Sequence, residues 1–234
     1  MKIYAYILSH DTGFAPCYTD GIWTLACCKP QIRAKIFNEH VETGQNEFWV
    51  IGLQHEGSMQ KDYTYPGVKV RYIACAKVLR LEEYYKDDGP YSNRIDCIYR
   101  NVTSLDRAKR RTYEELKEHN GGKVRQVPTA VEHRMENDDE KMSQTARDIY
   151  GNCVLISNEF YYLPDEVNVN AEGILYDKLY EMGKNRRTGK YEIEIEEEEF
   201  LQGIAMIKEK GTKRVPIREY KRCKGGCVHS KKTC

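Results

Sequence analysis

The sequence predicts an α+β protein built on a strand-rich mixed or antiparallel sheet, open or barrel-like, with peripheral helices and a C-terminal amphipathic helix plus basic tail. Three observations point there. Runs of β-branched and aromatic residues fill the first eighty positions, the apolar spacing turns helical after residue 79, and a late apolar run at 153–163 precedes further amphipathic stretches. A chain of 234 residues with 40% hydrophobic residues can bury one substantial core.

Each element follows from its local pattern. Lys2–Leu8 alternates aromatic and aliphatic residues without a breaker and reads as a strand, which Asp11, Thr12 and Gly13 turn. Residues 21–28 form a second short run stopped by Pro30. Residues 48–53 are a third strand and 68–78 a fourth. The first eighty residues are thus read as strands with loops between them. Residues 79–85 change period and form a short helix ended by Asp87, Asp88, Gly89 and Pro90. Charged, helix-favouring residues at 106–119 read as an exposed helix closed by Asn120-Gly121-Gly122. Residues 153–157 and 160–163 are late strands, or one strand and its continuation. Apolar residues at 174, 175, 179 and 182 give a helix over 171–182 that Gly183 ends. Six of the eight residues from 192 to 199 are Glu, and they read as the solvated start of an amphipathic helix carrying Phe200, Leu201, Ile204 and Ile207.

Composition narrows the setting. No stretch approaches the roughly 18 consecutive apolar residues of a membrane helix, and the first apolar run meets His10 and Asp11 too early for a signal peptide. Nine cysteines, at 17, 27, 28, 75, 97, 153, 223, 227 and 234, lack the dense spacing of a secreted disulfide scaffold, so reduced thiols and a cytoplasmic home are expected. The formal net charge of +1 hides a polarity: residues 208–234 hold ten Lys or Arg against Glu209 and Glu219, a net of +8. Such a tail suits a phosphate backbone or another anionic surface, or is a solvated terminus.

Several residue groups carry chemistry. His10 and Asp11 sit between an apolar strand and a glycine turn, where a rigid scaffold holds site residues, although an Asp beside a Gly also forms Asx turns. Lys29 and Arg33, four residues apart around Pro30, suit a phosphate clamp, with the guanidinium as a fork and the ammonium as a point charge; a solvated surface is the competing reading. In Asp96-Cys97-Ile98-Tyr99-Arg100, a ring or guanidinium plane can stack on a base while the carboxylate accepts from an exocyclic amine. A regular strand would send Asp96 and Arg100 to one face and Tyr99 to the other. Cys27 or Cys28 as a nucleophile would need His10 or His133 as its base. Cys223, Cys227, His229 and Cys234 supply four ligands for a tetrahedral zinc, at atypical spacing. Eighteen tyrosines beside five Phe and two Trp favour binding faces weakly.

The motifs together resemble a known family. His10-Asp11-Thr12-Gly13-Phe14-Ala15-Pro16, followed by Thr24-Leu25-Ala26-Cys27-Cys28-Lys29-Pro30-Gln31-Ile32-Arg33, is similar to the opening signature of the second type of nucleotide-modification-associated domain. Val78-Leu79 with Glu83-Tyr84-Tyr85, then Asp96 to Arg100, then Val154-Leu155-Ile156-Ser157 with Phe160-Tyr161-Tyr162 follow in the family's order. His133 stands where the pattern has a histidine. The chain departs from the pattern at Gly44-Gln45-Asn46-Glu47, and at Cys97 and Arg100 where the family pattern has Asn and His. The resemblance covers roughly residues 1–187, leaving 188–234 as an acidic helix and a basic, Cys-containing extension. It implies a role with modified bases, DNA more than RNA, by analogy rather than by a reaction shown in the residues.

Three classes of function remain. One is an enzyme, or an enzyme's partner, in nucleobase modification, with Asp11, His133 and Tyr99 as catalytic candidates and His10, Lys29, Arg33, Asp96 and Arg100 as ligand- or phosphate-binding ones. A second is a non-catalytic reader of a modified base or nucleic-acid strand, and a third is a zinc-stapled interaction protein. No Gly-rich phosphate loop, serine elbow or zinc-deaminase spacing names a cofactor, so enzymatic activity is left open.

Overall fold

The computed structural model of the chain describes residues 1–8, 13–54, 69–106, 115, 118–120, 124–126, 145–164, 167, 169–184 and 192–213. Strands β1 (Lys2–Leu8), β2 (Cys17–Thr19) and β3 (Ile22–Leu25) precede helix α1 (Pro30–Thr43). Then come β4 (Glu47–Gln54), β5 (Lys69–Leu79), α2 (Leu81–Tyr84), β6 (Tyr99–Arg100) and β7 (Arg125–Gln126). Residues 145–150 are helical, here α3. The described fold ends with β8 (Val154–Tyr162), α4 (Gly173–Lys184), β9 (Glu192–Glu194), α5 (Glu197–Gly203) and α6 (Ala205–Lys210).

Seven strands form one sheet in the order β2-β3-β8-β5-β4-β1-β9, and β6-β7 form a small second one. Only β1 and β4 run parallel in the large sheet, so it is mixed. β2 and β9 end the order and do not pair with each other, so the sheet stays open and the barrel-like alternative is excluded.

Both faces of the sheet are covered, and strand alternation decides which side chain goes where. Tyr4, Tyr6 and Leu8 of β1 pack with Phe48, Tyr72, Phe160 and Tyr162 against Ile32, Ile36 and Phe37 of α1. Ile3 and Ala5 face the other way, with Ile51, Ile73, Leu175, Phe200, Ile204 and Ile207 beneath α4, α5 and α6. A third cluster joins Phe14, Cys27, Tyr84, Tyr85, Tyr99, Ile149 and Val154 at the β3 end. The late apolar run is one strand with a break in register opposite Cys75 and Lys77. Ser157 Oγ donates to Cys75 O at 2.6 Å there and accepts the Glu159 N–H at 3.0 Å. This irregularity lets Leu155 and Phe160, one odd and one even, share the α1 face.

Four details differ from the expectations. Pro30 does not leave a loop behind it: it opens α1, because the first helical position has no intrahelical use for an N–H. Gly44, at φ 75, closes that helix by donating its N–H to His40 O at 2.9 Å. The acidic run is only half helix, since Glu192 and Glu194 are exposed around buried Ile193 in an edge strand that pairs with β1. Gly183 lies within α4 rather than ending it.

Residues 192–213 are continuous with the rest of the fold. Ile193, Ile195, Phe200, Ile204 and Ile207 share the core with Ile3 and Ile51, and Thr212 bridges Tyr162 through both main-chain hydrogen bonds. The break expected after residue 187 therefore falls between α4 and a strand of the same sheet. Among the described residues, no helix is long and apolar enough to cross a membrane.

Candidate functional site

The chain leaves β3 through the buried Ala26 and Cys27 and turns at Cys28 and Lys29, with φ 62 and 44. Two consecutive non-glycine residues in the left-handed region cost roughly 1–3 kcal/mol each and persist only where their surroundings force them. Both peptide groups of Cys28 are pinned. Its N–H donates to Asp148 Oδ1 at 2.8 Å, and its oxygen accepts Arg33 Nε at 3.0 Å. Arg33 also donates from Nη1 to Cys153 O at 2.6 Å and from Nη2 to Asp148 O at 2.5 Å.

Arg33 and Asp148 are buried, at 0% and 1% exposure, so this clamp works where water cannot compete. A Cβ on Gly151 would lie 2.5 Å from Arg33 Cζ, which explains a glycine against the guanidinium. The Tyr99 hydroxyl donates to Asp148 Oδ2 at 2.6 Å. Burial first, and the adjacent Asp148 second, push the Tyr99 phenol well above its usual range, so it stays a donor at neutral pH. The Cys27 thiol is likewise pushed up, by its hydrogen bond with Cys28 and by burial.

Lys29 occupies the N-cap of α1, where no side chain makes a cap hydrogen bond. Its Nζ donates to Ile7 O at 3.1 Å and stands 5.2 Å from the centre of the Tyr6 ring. From there an aromatic wall runs along the α1 side of the sheet. Tyr72 donates its hydroxyl to that of Tyr6 at 2.5 Å, and its ring lies 5.4 Å from Trp23 and 6.0 Å from Tyr18. Gly52 makes room for it: a Cβ there would sit 2.0 Å from Tyr72 Cε1. An ammonium beside a helix N-terminus attracts an anion, and the rings of Tyr6, Tyr72 and Trp23 behind it are buried core that holds it in place.

A second polar network lies behind the first. Asp96, fully buried, accepts Thr24 Oγ1 at 2.5 Å and the Tyr84 hydroxyl at 2.7 Å, with Arg94 Nε at 3.4 Å. Arg94 also donates to Thr24 Oγ1 and to Thr19 O, both at 2.9 Å. The groups satisfy one another and tie the β2-β3 hairpin to residues 94–96. Burial, with Asp96 adding and Arg94 opposing, raises the nearby Cys17 thiol to about 12.

The candidates named from the sequence separate accordingly. Lys29 and Arg33 share one turn, but Lys29 is half-buried under the aromatic wall while Arg33 serves three main-chain oxygens. Residues 96–98 are not in a strand, and Asp96, Tyr99 and Arg100 serve different partners. Arg100 pairs with Asp87 at 2.7 Å and donates to Cys97 O and Tyr99 O. His10, Asp11, His133 and the Cys223, Cys227, His229 and Cys234 set lie outside the described residues. Asp148, Arg94, Tyr6, Tyr72 and Trp23 were not singled out. The tyrosine excess was the one sequence signal for the wall, and nothing around Asp148 marks it.

The family model for nucleotide modification associated domain 2 matches residues 1–219. Neither a search of curated proteins nor one of solved structures found a match.

Proposed function

We propose a function from the premise that the chain belongs to the nucleotide modification associated domain 2 family: it binds a nucleotide, free or within a DNA strand, and acts in the modification of its base. The Cys28–Lys29 turn carries this reading. Its left-handed pair is held by Arg33, Asp148 and, through Asp148, Tyr99, and strain held this firmly clusters at ligand sites. The turn also gathers the two segments of the family signature. Lys29 meets Ile7, just before His10 and Asp11, and Phe14 packs in one cluster with Cys27.

In this reading the Lys29 ammonium, seated over the Tyr6 ring, and the first turn of α1 receive a phosphate. Arg33, Asp148 and Tyr99 act as positioning residues, and His10, Asp11 and His133 are the groups assigned to the base chemistry. Lys29→Gln tests it, with calorimetric titration of nucleoside monophosphates and a short single-stranded DNA. The variant should keep the parent melting temperature and lose roughly 1.5–3 kcal/mol of binding, the range for hydrogen bonds to charged groups. Added salt should narrow the difference. Unchanged affinity, or no binding of any of these ligands by the parent protein, overturns the reading.

A further inference from the structure

A strand sends neighbouring side chains to opposite faces, so Cys27 and Cys28 would be kept apart had β3 continued. The left-handed turn at Cys28, φ 62, brings them together instead, and their thiols hydrogen-bond each other. The sulfurs of Cys17, Cys97 and Cys153 meet oxygens: Thr19 Oγ1 at 3.6 Å, Tyr84 O at 3.4 Å and Arg33 O at 3.5 Å. Cys27 is fully buried, whereas Cys28 is partly exposed and within reach of a small reagent.

We infer that Cys27 and Cys28 are a redox pair: a hydroperoxide closes them to a vicinal disulfide, which distorts the Cys28–Lys29 turn and weakens the anion seat at Lys29. The last step rests on the nucleotide-binding reading, and the first two do not. The Cys28 sulfur attacks the peroxide, the O–O bond breaks, and one oxygen leaves with the thiol proton as water, so Cys28 becomes a sulfenic acid. The Cys27 sulfur then attacks that of Cys28. An S–S bond replaces the S–O bond, and the hydroxyl departs with the Cys27 proton as a second water. Two electrons pass from the sulfurs to the peroxide, and a dithiol reductant returns them.

Geometry makes the bond labile and couples it to the turn. Adjacent Cα atoms are about 3.8 Å apart across a trans peptide. Ordinary disulfides span roughly 4.4–6.8 Å, and one closed outside that range is strained and easily reduced. The ring contains the Cys27–Cys28 peptide and the φ torsion of Cys28, so its strain falls on the N–H that donates to Asp148 Oδ1 at 2.8 Å. Lys29 is the next residue, at φ 44, and its ammonium reaches Ile7 O from that turn.

The full chain is treated with hydrogen peroxide, blocked at its free thiols, digested and mapped by mass spectrometry. The peptide holding both cysteines should be lighter by two hydrogens, unblocked and joined to no second peptide, and dithiothreitol should restore both thiols. Oxidation should also strip the Cys28 amide of its protection against hydrogen exchange. In Cys27→Ala the ring cannot close, and a dimedone-type probe should trap the sulfenic acid on Cys28. Nucleoside monophosphates should bind the oxidised parent at least about tenfold more weakly than the reduced one, and Lys29→Gln should show no such difference between its two forms.

Each failure is distinct. Intact thiols under peroxide, a second peptide joined to either cysteine, or no trapped sulfenic acid in Cys27→Ala overturns the redox pair and leaves the nucleotide reading untouched. A closed pair with the Cys28 amide still protected, or with nucleotide affinity unchanged, overturns its hold on the site. If the pair closes and the amide opens but neither form binds a nucleotide, the nucleotide reading falls and the switch of the turn stands.

Discussion

Arg33 Nη2 donates to the main-chain oxygen of Asp148, 115 residues along the chain, rather than to its carboxylate. That choice frees the carboxylate for the Cys28 N–H and the Tyr99 hydroxyl, so one buried residue holds α1, the strained turn and β6 together. A charge–charge pair in the same place would have consumed the groups that shape the turn.

Arg33→Ala should therefore be severe. It strands the oxygens of Cys28, Cys153 and Asp148 in a dry interior, and the expected loss is about 3–5 kcal/mol. Urea unfolding reads it directly. Arg33→Lys should recover only a minority, since one ammonium cannot span three oxygens held by a planar fork. A loss of less than about 0.5 kcal/mol, ordinary for surface positions, would show that the clamp contributes nothing.

Gly52→Ala should cost about 1–3 kcal/mol, the usual penalty for overpacking. The new Cβ would overlap the Tyr72 ring, which Trp23, Tyr18 and Tyr6 prevent from retreating. In a Tyr72→Ala background the same change should cost little, so a double-mutant cycle isolates the clash. Equal costs in both backgrounds would place the strain elsewhere.

A chain ended after residue 187 should not unfold cooperatively, because it loses β9 and the buried Ile193, Phe200, Ile204 and Ile207. Removing Phe200 alone, as Phe200→Ala, should cost about 3–5 kcal/mol. A chain ended after Lys213 keeps all four residues and should melt as one unit. Calorimetry on the two truncations decides between these outcomes.

Stability should fall in alkali. Cys17 is pushed to about 12 and Cys97 to about 11 by burial in each case, against 9.0 for an unperturbed thiol, and Tyr84 and Tyr99 are raised well above 10.0. Between the unfolded and folded values the native state holds protons that the unfolded chain has released. The stabilisation is thus complete below about pH 8.5 and is lost as pH rises toward 12. Urea midpoints at successive pH values above 8 should decline, less steeply for Cys17→Ala. A rising midpoint over that range would contradict the burial of these groups.

Local pattern alone determined most of the strands, because period-two alternation and β-branched runs reflect backbone sterics within a few residues. Lys2–Leu8, the Trp49 and Arg71 strands and the late run of β8 were legible for that reason. α1 was not, since Pro30 reads equally as a stop and as a first helical residue, and only the packing of Ile32, Ile36 and Phe37 on the sheet decides between them. The division of the acidic run into strand and helix was likewise settled by β1, which supplies the edge that Glu192–Glu194 joins. Lys29 and Arg33 could be named from sequence as two cations four apart. Their division of labour could not, because what buries Arg33 is Asp148 and Cys153, more than a hundred residues away, and no local signal carries a contact over that separation.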